Sequence, residues 1–233
     1  MDSVKLMNRT DTKFILHRNE MEDIIKDLTN HYRVLQVEGL RQSRYETLYY
    51  DSDNFYHFLS HQNGKLNRYK VRKRNYVESK ISFLEVKFKT NKDRTIKKRV
   101  PLADIGNNLN NQERIFIEER TGMGMMLEAK LWNKFQRITL VNESLPERLT
   151  IDCNLSFSTD NLSVPLDNLV IAEVKQESEN RHSPFMKELK RRIIRPEGIS
   201  KYCLGVTMLY PEIKHNNFKE KVLRIKKVTA QHD

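Results

Sequence analysis

Cationic side chains stand at every second position from Arg68 to Arg74, as Arg68, Lys70, Arg72 and Arg74, with Tyr69, Val71 and Lys73 between them. Successive side chains of a β-strand point to opposite faces, so a strand here would gather all four on one face. Like charges on one face repel unless something negative lies opposite. Guanidinium groups offer forked donors that match phosphate oxygens, and an ammonium acts as a point charge. The pattern therefore asks for a polyanion.

Other segments alternate in the same way. Glu85, Lys87 and Lys89 oppose Leu84, Val86 and Phe88, and Thr95, Lys97 and Arg99 oppose Ile96 and Val100. Arg148, Thr150, Asp152 and Asn154 oppose Leu149, Ile151, Cys153 and Leu155, while Glu173 and Lys175 oppose Val170, Ala172 and Val174. A half-buried antiparallel sheet ordinarily shows water a polar face of mixed sign. Here the polar faces are nearly all cationic, with Glu85, Asp152 and Glu173 as isolated carboxylates. Cations for non-bridging oxygens, plus one or two carboxylates for Mg2+ or Mn2+, form the donor set of a metal-assisted phosphate site. Curled with these faces inward, the sheet would enclose a cationic tunnel and pack its apolar faces outward under helices, the inverse of an ordinary barrel.

The elements that must position these residues read as α+β. Strands are expected over 11–16, 45–50, 68–74, 82–89, 94–100, 148–157 and 169–175, with either strand or helix around 202–208. Asn19 and Glu22 have capping-box spacing and open a helix ending near His31. Helical spacing also predicts helices over 123–138, with Arg137 at its end, and over 184–194. Asn63-Gly64 and Asn91-Lys92-Asp93 read as hairpin turns. Lys73 points to the apolar side at a rim, and His57 and His61 read as surface residues. The division is one domain over 1–210 and a basic C-terminal tail over 211–233, helical or frayed, whose stretch from Lys214 to Lys227 reads as a solvated extension.

The chain has 233 residues, a net charge of +11, 38% hydrophobic and 31% charged residues. That balance favours polyanionic partners and excludes a wholly disordered chain. Cys153 and Cys203 form no CxxC pair, which argues against a zinc ribbon and for free thiols in a reducing compartment. No run approaches the ~18 apolar residues of a membrane span, and residues 1–9 lack an apolar signal core. A soluble, cytoplasmic protein is expected.

In order along the chain, Arg9-Thr10-Asp11-Thr12-Lys13-Phe14, Leu48-Tyr49-Tyr50-Asp51, Arg72-Lys73-Arg74, Leu84-Glu85-Val86-Lys87, Ile96-Lys97-Lys98-Arg99, Arg148-Leu149-Thr150-Ile151-Asp152, Glu173-Val174-Lys175 and Ser200-Lys201-Tyr202 are similar to successive motifs of one family. The chain resembles the VTC-type polyphosphate polymerase domain, a branch of the triphosphate tunnel metalloenzymes with a CYTH-like fold. The resemblance implies an antiparallel β tunnel barrel with a polar, cationic interior and flanking helices. It implies transfer of the ATP γ-phosphate to a growing polyphosphate chain, with Mn2+ or Mg2+ as cofactor and ATP, polyphosphate, pyrophosphate or phosphate as ligands. Carried over by motif, Arg72, Arg74, Lys87 and Lys175 are catalytic, and Lys13, Lys97, Arg137, Arg148, Ser200 and Lys201 hold phosphate. Glu173 is the metal ligand.

Three positions depart from the family pattern: Asp11 replaces a Glu, Phe14 replaces a Tyr, and Gly198 stands where a cation is usual. The chain carries no membrane segment of its own, so docking to a membrane partner protein is one expectation. A triphosphate or nucleoside triphosphate hydrolase, or a non-catalytic polyphosphate-binding module, would use the same chemistry. Nucleic acid is not an expected partner, because the cationic faces lack interleaved aromatic residues.

Overall fold

Period-two alternation builds one antiparallel sheet. The computed structural model describes residues 10–92 and 94–230, so Arg9, Asp93 and the last three residues of the tail lie outside the described residues. The elements in chain order are β1 (Thr10–His17), α1 (Arg18–Leu28), β2 (Tyr32–Val34), β3 (Gln42–Asp51), α2 (Tyr56–Gln62), β4 (Arg68–Tyr76), β5 (Ile81–Lys89) and β6 (Thr95–Leu102). There follow α3 (Asn111–Thr121), β7 (Glu128–Asn142), β8 (Glu147–Ser158), β9 (Ser163–Leu166), β10 (Leu169–Gln176), α4 (Pro184–Arg191), α5 (Lys201–Leu209) and α6 (Asn216–Thr229). The sheet order is β1-β10-β8-β7-β3-β4-β5-β6, with β2 added to β7 and β9 to β8. The class is α+β and tunnel-like, as expected. Hydrogen bonding does not close the sheet into a barrel: β1 and β6 are its two ends among the described residues.

The apolar faces pack under helices. Phe14, Leu16, Leu149, Ile151, Val170 and Val174 are buried against Met21, Ile24 and Leu28 of α1 and Phe185 and Leu189 of α4. Leu48, Tyr50, Val71, Leu84 and Val86 are buried with Ile117 of α3. A third cluster lies on the charged face itself, where Ile15, Tyr49, Leu131, Phe135 and Ile171 meet Phe58 of α2, Tyr202 and Val206 of α5, and Ile225 of α6. Helix α5 approaches so closely that a Cβ on Gly205 would lie 2.8 Å from Phe157 Cδ1 and 3.1 Å from Leu131 Cδ1. Glycine is required there by space.

Several sequence expectations change. Residues 128–142 form strand β7, not the helix expected over 123–138. Met126, Leu127, Leu131 and Phe135 mimic helical spacing, but the Ile138-Thr139-Leu140-Val141 run favours a strand and pairing with β3 and β8 enforces it. The helix of this region is α3, opened by a capping box between Asn110 and Glu113. Asn63-Gly64 ends helix α2 and is not a hairpin turn: Asn63 is the cap and Gly64 takes φ +66. His17, whose Nδ1 accepts from the Asn19 N–H at 3.1 Å, caps α1 in place of Asn19. Helix α4 stops at Arg191, and Ile193 turns outward with φ 58. The 202–208 segment is helical. In β8 a bulge at Asn154, φ 51, moves Leu155 from the face of Leu149 and Ile151 to the charged face.

Lys73 is not at a rim. It is buried under α3, pairs with Glu113 at 3.0 Å and donates to the Gly106 and Asn108 carbonyls. His57 is buried in α2, where burial lowers its pKa, and His61 is half-buried on the same helix. Residues 216–229 of the expected solvated tail form α6, whose Ile225 is in the core and whose Phe218 packs on Phe58.

Candidate functional site: a cationic tunnel face

Register places the charged residues in rows across the sheet. Lys70, Lys87 and Lys97 are successive Cα partners over β4, β5 and β6, and Arg72, Glu85 and Arg99 form the next row. At the other end of the sheet, Lys13 of β1 pairs with Glu173 of β10, and Glu173 with Thr150 of β8. The next row there is Asp11, Lys175 and Arg148. The sheet curls so that Lys87 on β5 lies within electrostatic reach of Lys13 on β1 and Glu173 on β10, at the other side of the sheet.

Three carboxylates organise six of these cations. Glu85 takes Arg72 at 2.6 Å and Lys97 at 3.0 Å. Asp152 takes Arg137 through two bonds of 2.5 and 2.7 Å, and also Lys201. Glu173 takes Lys13 at 2.7 Å, and also Lys175, whose Nζ donates to Thr150 at 3.3 Å. Burial by itself would raise each carboxyl's pKa. The cations overcome it, holding Glu85 and Asp152 at about 2 and Glu173 well below the usual range.

Aromatic rings supply the rest of one wall. The Arg74 guanidinium lies 5.8 Å from the Tyr45 ring and 5.9 Å from Phe135, and that of Arg137 lies 5.0 and 5.4 Å from the same rings. Lys201 sits 4.5 Å over Phe135, and Arg74 Nε donates to Thr47 Oγ1 at 3.1 Å. Ser200 caps α5 by accepting from the Cys203 N–H at 3.3 Å, which leaves its own hydroxyl proton free to donate. Asp51 accepts from the backbone N–H groups of His57 and Phe58 at 2.8 Å each and from the Tyr202 hydroxyl, so it ties α2 and α5 to the sheet.

The VTC domain family model matches residues 8–210. The chain belongs to the VTC domain family. Two solved structures described as putative adenylate cyclases share the fold of this VTC domain. One, from Bacillus halodurans, has a TM-score of 0.54 at 13% identity, covering 87% of this chain and 97% of that one. The other, from Hippeastrum, is described as having a dominant triphosphatase activity. It has a TM-score of 0.51 at 14% identity, covering 84% of this chain and 94% of that one. No curated protein sequence matches the chain.

The VTC domain thus brings Lys13, Arg72, Arg74, Lys87, Lys97, Arg137, Glu173, Lys175 and Lys201 to one face, with Arg148 in the row of Lys175. Arg137 reaches it from a strand and not from a helix end. Sequence reasoning missed the aromatic wall, although Tyr45, Thr47 and Tyr49 alternate on β3 in the same way as the cations. No cluster of three or more His, Cys, Asp or Glu residues able to hold a metal occurs among the described residues. A divalent ion that arrives on a phosphate chain needs only one or two protein carboxylates. On this face Glu173 is a carboxylate shared by Lys13 and Lys175. A cleft of about 500 Å3 between β9, α5 and α6, lined by Val164, Leu166, Met208 and Val222, contains none of these cations.

Proposed function

We propose that this VTC domain is a metal-dependent phosphotransferase that moves the ATP γ-phosphate onto an inorganic polyphosphate chain. The observation that carries the reading is the single sheet face on which strand register gathers Lys13, Arg72, Arg74, Lys87, Lys97, Arg137 and Lys175 with Glu173 among them. Phosphoryl transfer needs chiefly positioning and neutralisation of spread negative charge. Arg72, Arg74 and Lys87 grip the transferring group, and Lys175 neutralises the oxygens beside Glu173. Lys13, Lys97, Arg137, Arg148, Ser200 and Lys201 hold the rest of the chain. The acceptor is a phosphate oxygen, already ionised, so no general base is required. Glu173 would hold Mn2+ or Mg2+, which supplies charge neutralisation on the phosphates when bound.

Purified protein given ATP and Mn2+ is expected to make acid-stable polyphosphate. Arg72→Ala and Glu173→Gln are each expected to lower the rate at least a hundredfold, on the scale of losing one preorganised electrostatic contact (~10²–10³). Release of orthophosphate alone by the wild type would replace the polymerase reading with a triphosphate hydrolase. The fold shared with the Hippeastrum protein is the observation that favours this second reading.

A further inference from the structure

Lys70 and Lys87 stand apart from the carboxylate-clamped cations. Their backbones pair in the β4–β5 ladder, but neither side chain makes an ion pair or hydrogen bond among the described residues. They are Cα partners across β4 and β5, so they project from the same face with their stems about 5 Å apart. The groups that act on Lys70 are the Cys203 thiol on α5, Arg68 and Arg72 on its own strand, and Lys13 on β1, and Lys70 in turn acts on the neutral His61 of α2. Those acting on Lys87 are Arg72, Lys70, Lys13 and the carboxylate of Glu173. Two adjacent, half-buried ammonium groups without acceptors are costly in the ligand-free protein. The cost is removed by an anion that reaches both.

We propose that Lys70 and Lys87 together grip a single phosphate group of the bound chain, which makes Lys70 a substrate-binding residue outside the family's motif positions. The inference rests on the phosphate-chain reading above. Burial, with the neighbouring cations, pushes Lys70 down to about 8 and Lys87 down to about 7, as expected of ammonium groups awaiting a counter-anion. Arg72 borders the pair from the next row and Lys13 faces it, so the phosphate would be enclosed from β1, β4 and β5.

The test is calorimetric titration of tripolyphosphate at pH 7, with a thermal melt of each ligand-free protein. Lys70→Met is expected to weaken Kd roughly tenfold or more, the loss of a charge-assisted hydrogen bond. It is also expected to raise the ligand-free Tm by about 2–4 °C, because an unpaired, half-buried charge is removed from among other cations. Lys70→Arg should keep most of the affinity. Lys98→Met removes the same charge from an exposed position partnered with Val86 on the other face, and should change Kd by less than about threefold. Because both lysines serve one phosphate, Lys70→Met with Lys87→Met should lose less than the product of the two single losses.

Lys70→Met binding like the wild type would overturn the inference. So would loss of both affinity and Tm, the mark of a structural lysine, or multiplicative losses, the mark of two separate phosphates. A wild type that binds no tripolyphosphate would overturn the phosphate-chain reading and this inference with it. Lys70-dependent binding without polymer formation would leave the subsite standing and remove only the polymerase.

Discussion

Two regions of the same charged face solve the problem of buried cations differently. Around Asp152, the protein supplies its own anion: Arg137 and Lys201 share one carboxylate and stack over Phe135. Around Lys70 and Lys87 it supplies none beyond the electrostatic reach of Glu173. The first region is complete without a ligand and holds helix α5 against the sheet, because Lys201 is the first residue of that helix. The second is complete only with an anion present. The difference separates a preorganised wall from a gripping position.

The largest effect should come from breaking the completed region. Asp152→Asn removes a buried carboxylate and leaves the half-buried Arg137 and Lys201 without their counter-charge, and removing one partner of such a cluster costs roughly 3–5 kcal/mol. Urea unfolding should report a loss of that order, and tripolyphosphate should restore part of it by standing in for the carboxylate. A variant as stable as the wild type would mean that Asp152 does not hold this wall together, and the contrast between the regions would collapse.

Much of this contrast was legible in the sequence, because strand alternation is a local property. Arg68 to Arg74 and Glu85 to Lys89 read correctly without knowing which strands pair. Register is not local. That Glu85 meets both Arg72 and Lys97, or that Asp152 reaches Lys201 across 49 positions of sequence, follows from pairing and from the docking of α5. The failed helix over 123–138 has a related cause. The charged face of β7 is apolar at Leu131 and Phe135, because α5 covers it there, and the resulting mixture of Leu, Lys and Phe imitates a helical stripe. The bulge at Asn154 exchanged the two faces of β8, which no period-two reading anticipates. Helix α3 was more accessible, since Asn110 and Glu113 carry the spacing of a capping box.

A smaller effect sharpens the role of α5. Gly205→Ala places a methyl group 2.8 Å from Phe157, an interior ring with little room to yield, and overpacking of this kind costs about 1–3 kcal/mol. If α5 carries Lys201 to Asp152, the same change should weaken tripolyphosphate binding several-fold while Lys70 dependence persists. Unchanged stability would mean that α5 shifts freely, and that the wall near Phe135 is less fixed than the ion pairs imply.

The smallest and most discriminating effect is on pH. Folded-state values of about 8 for Lys70 and about 7 for Lys87 lie below the ordinary lysine value of ~10.4. Between those limits the unfolded chain binds more protons than the native one, so these two groups make the ligand-free protein more stable as pH rises from about 7 to about 10. Binding runs the other way, because the phosphate needs the ammonium form: the contribution of the pair is full below about pH 7 and fades above about pH 8. The facing groups are Lys13, Arg68, Arg72, Glu173, the Cys203 thiol and His61 of α2. Burial raises the pKa of the thiol, keeping it neutral near pH 7, and burial with the neighbouring Lys70 and Arg68 holds His61 down at about 2, neutral throughout this range. Kd for tripolyphosphate should therefore weaken between pH 7 and pH 9 more steeply in the wild type than in Lys70→Met. The ligand's own titration is common to both proteins and cancels in that comparison. Equal slopes would return Lys70 to the surroundings of the site. A steeper wild-type slope separates the region that waits for its anion from the region around Asp152, whose carboxylate, held at about 2, does not titrate anywhere in this range.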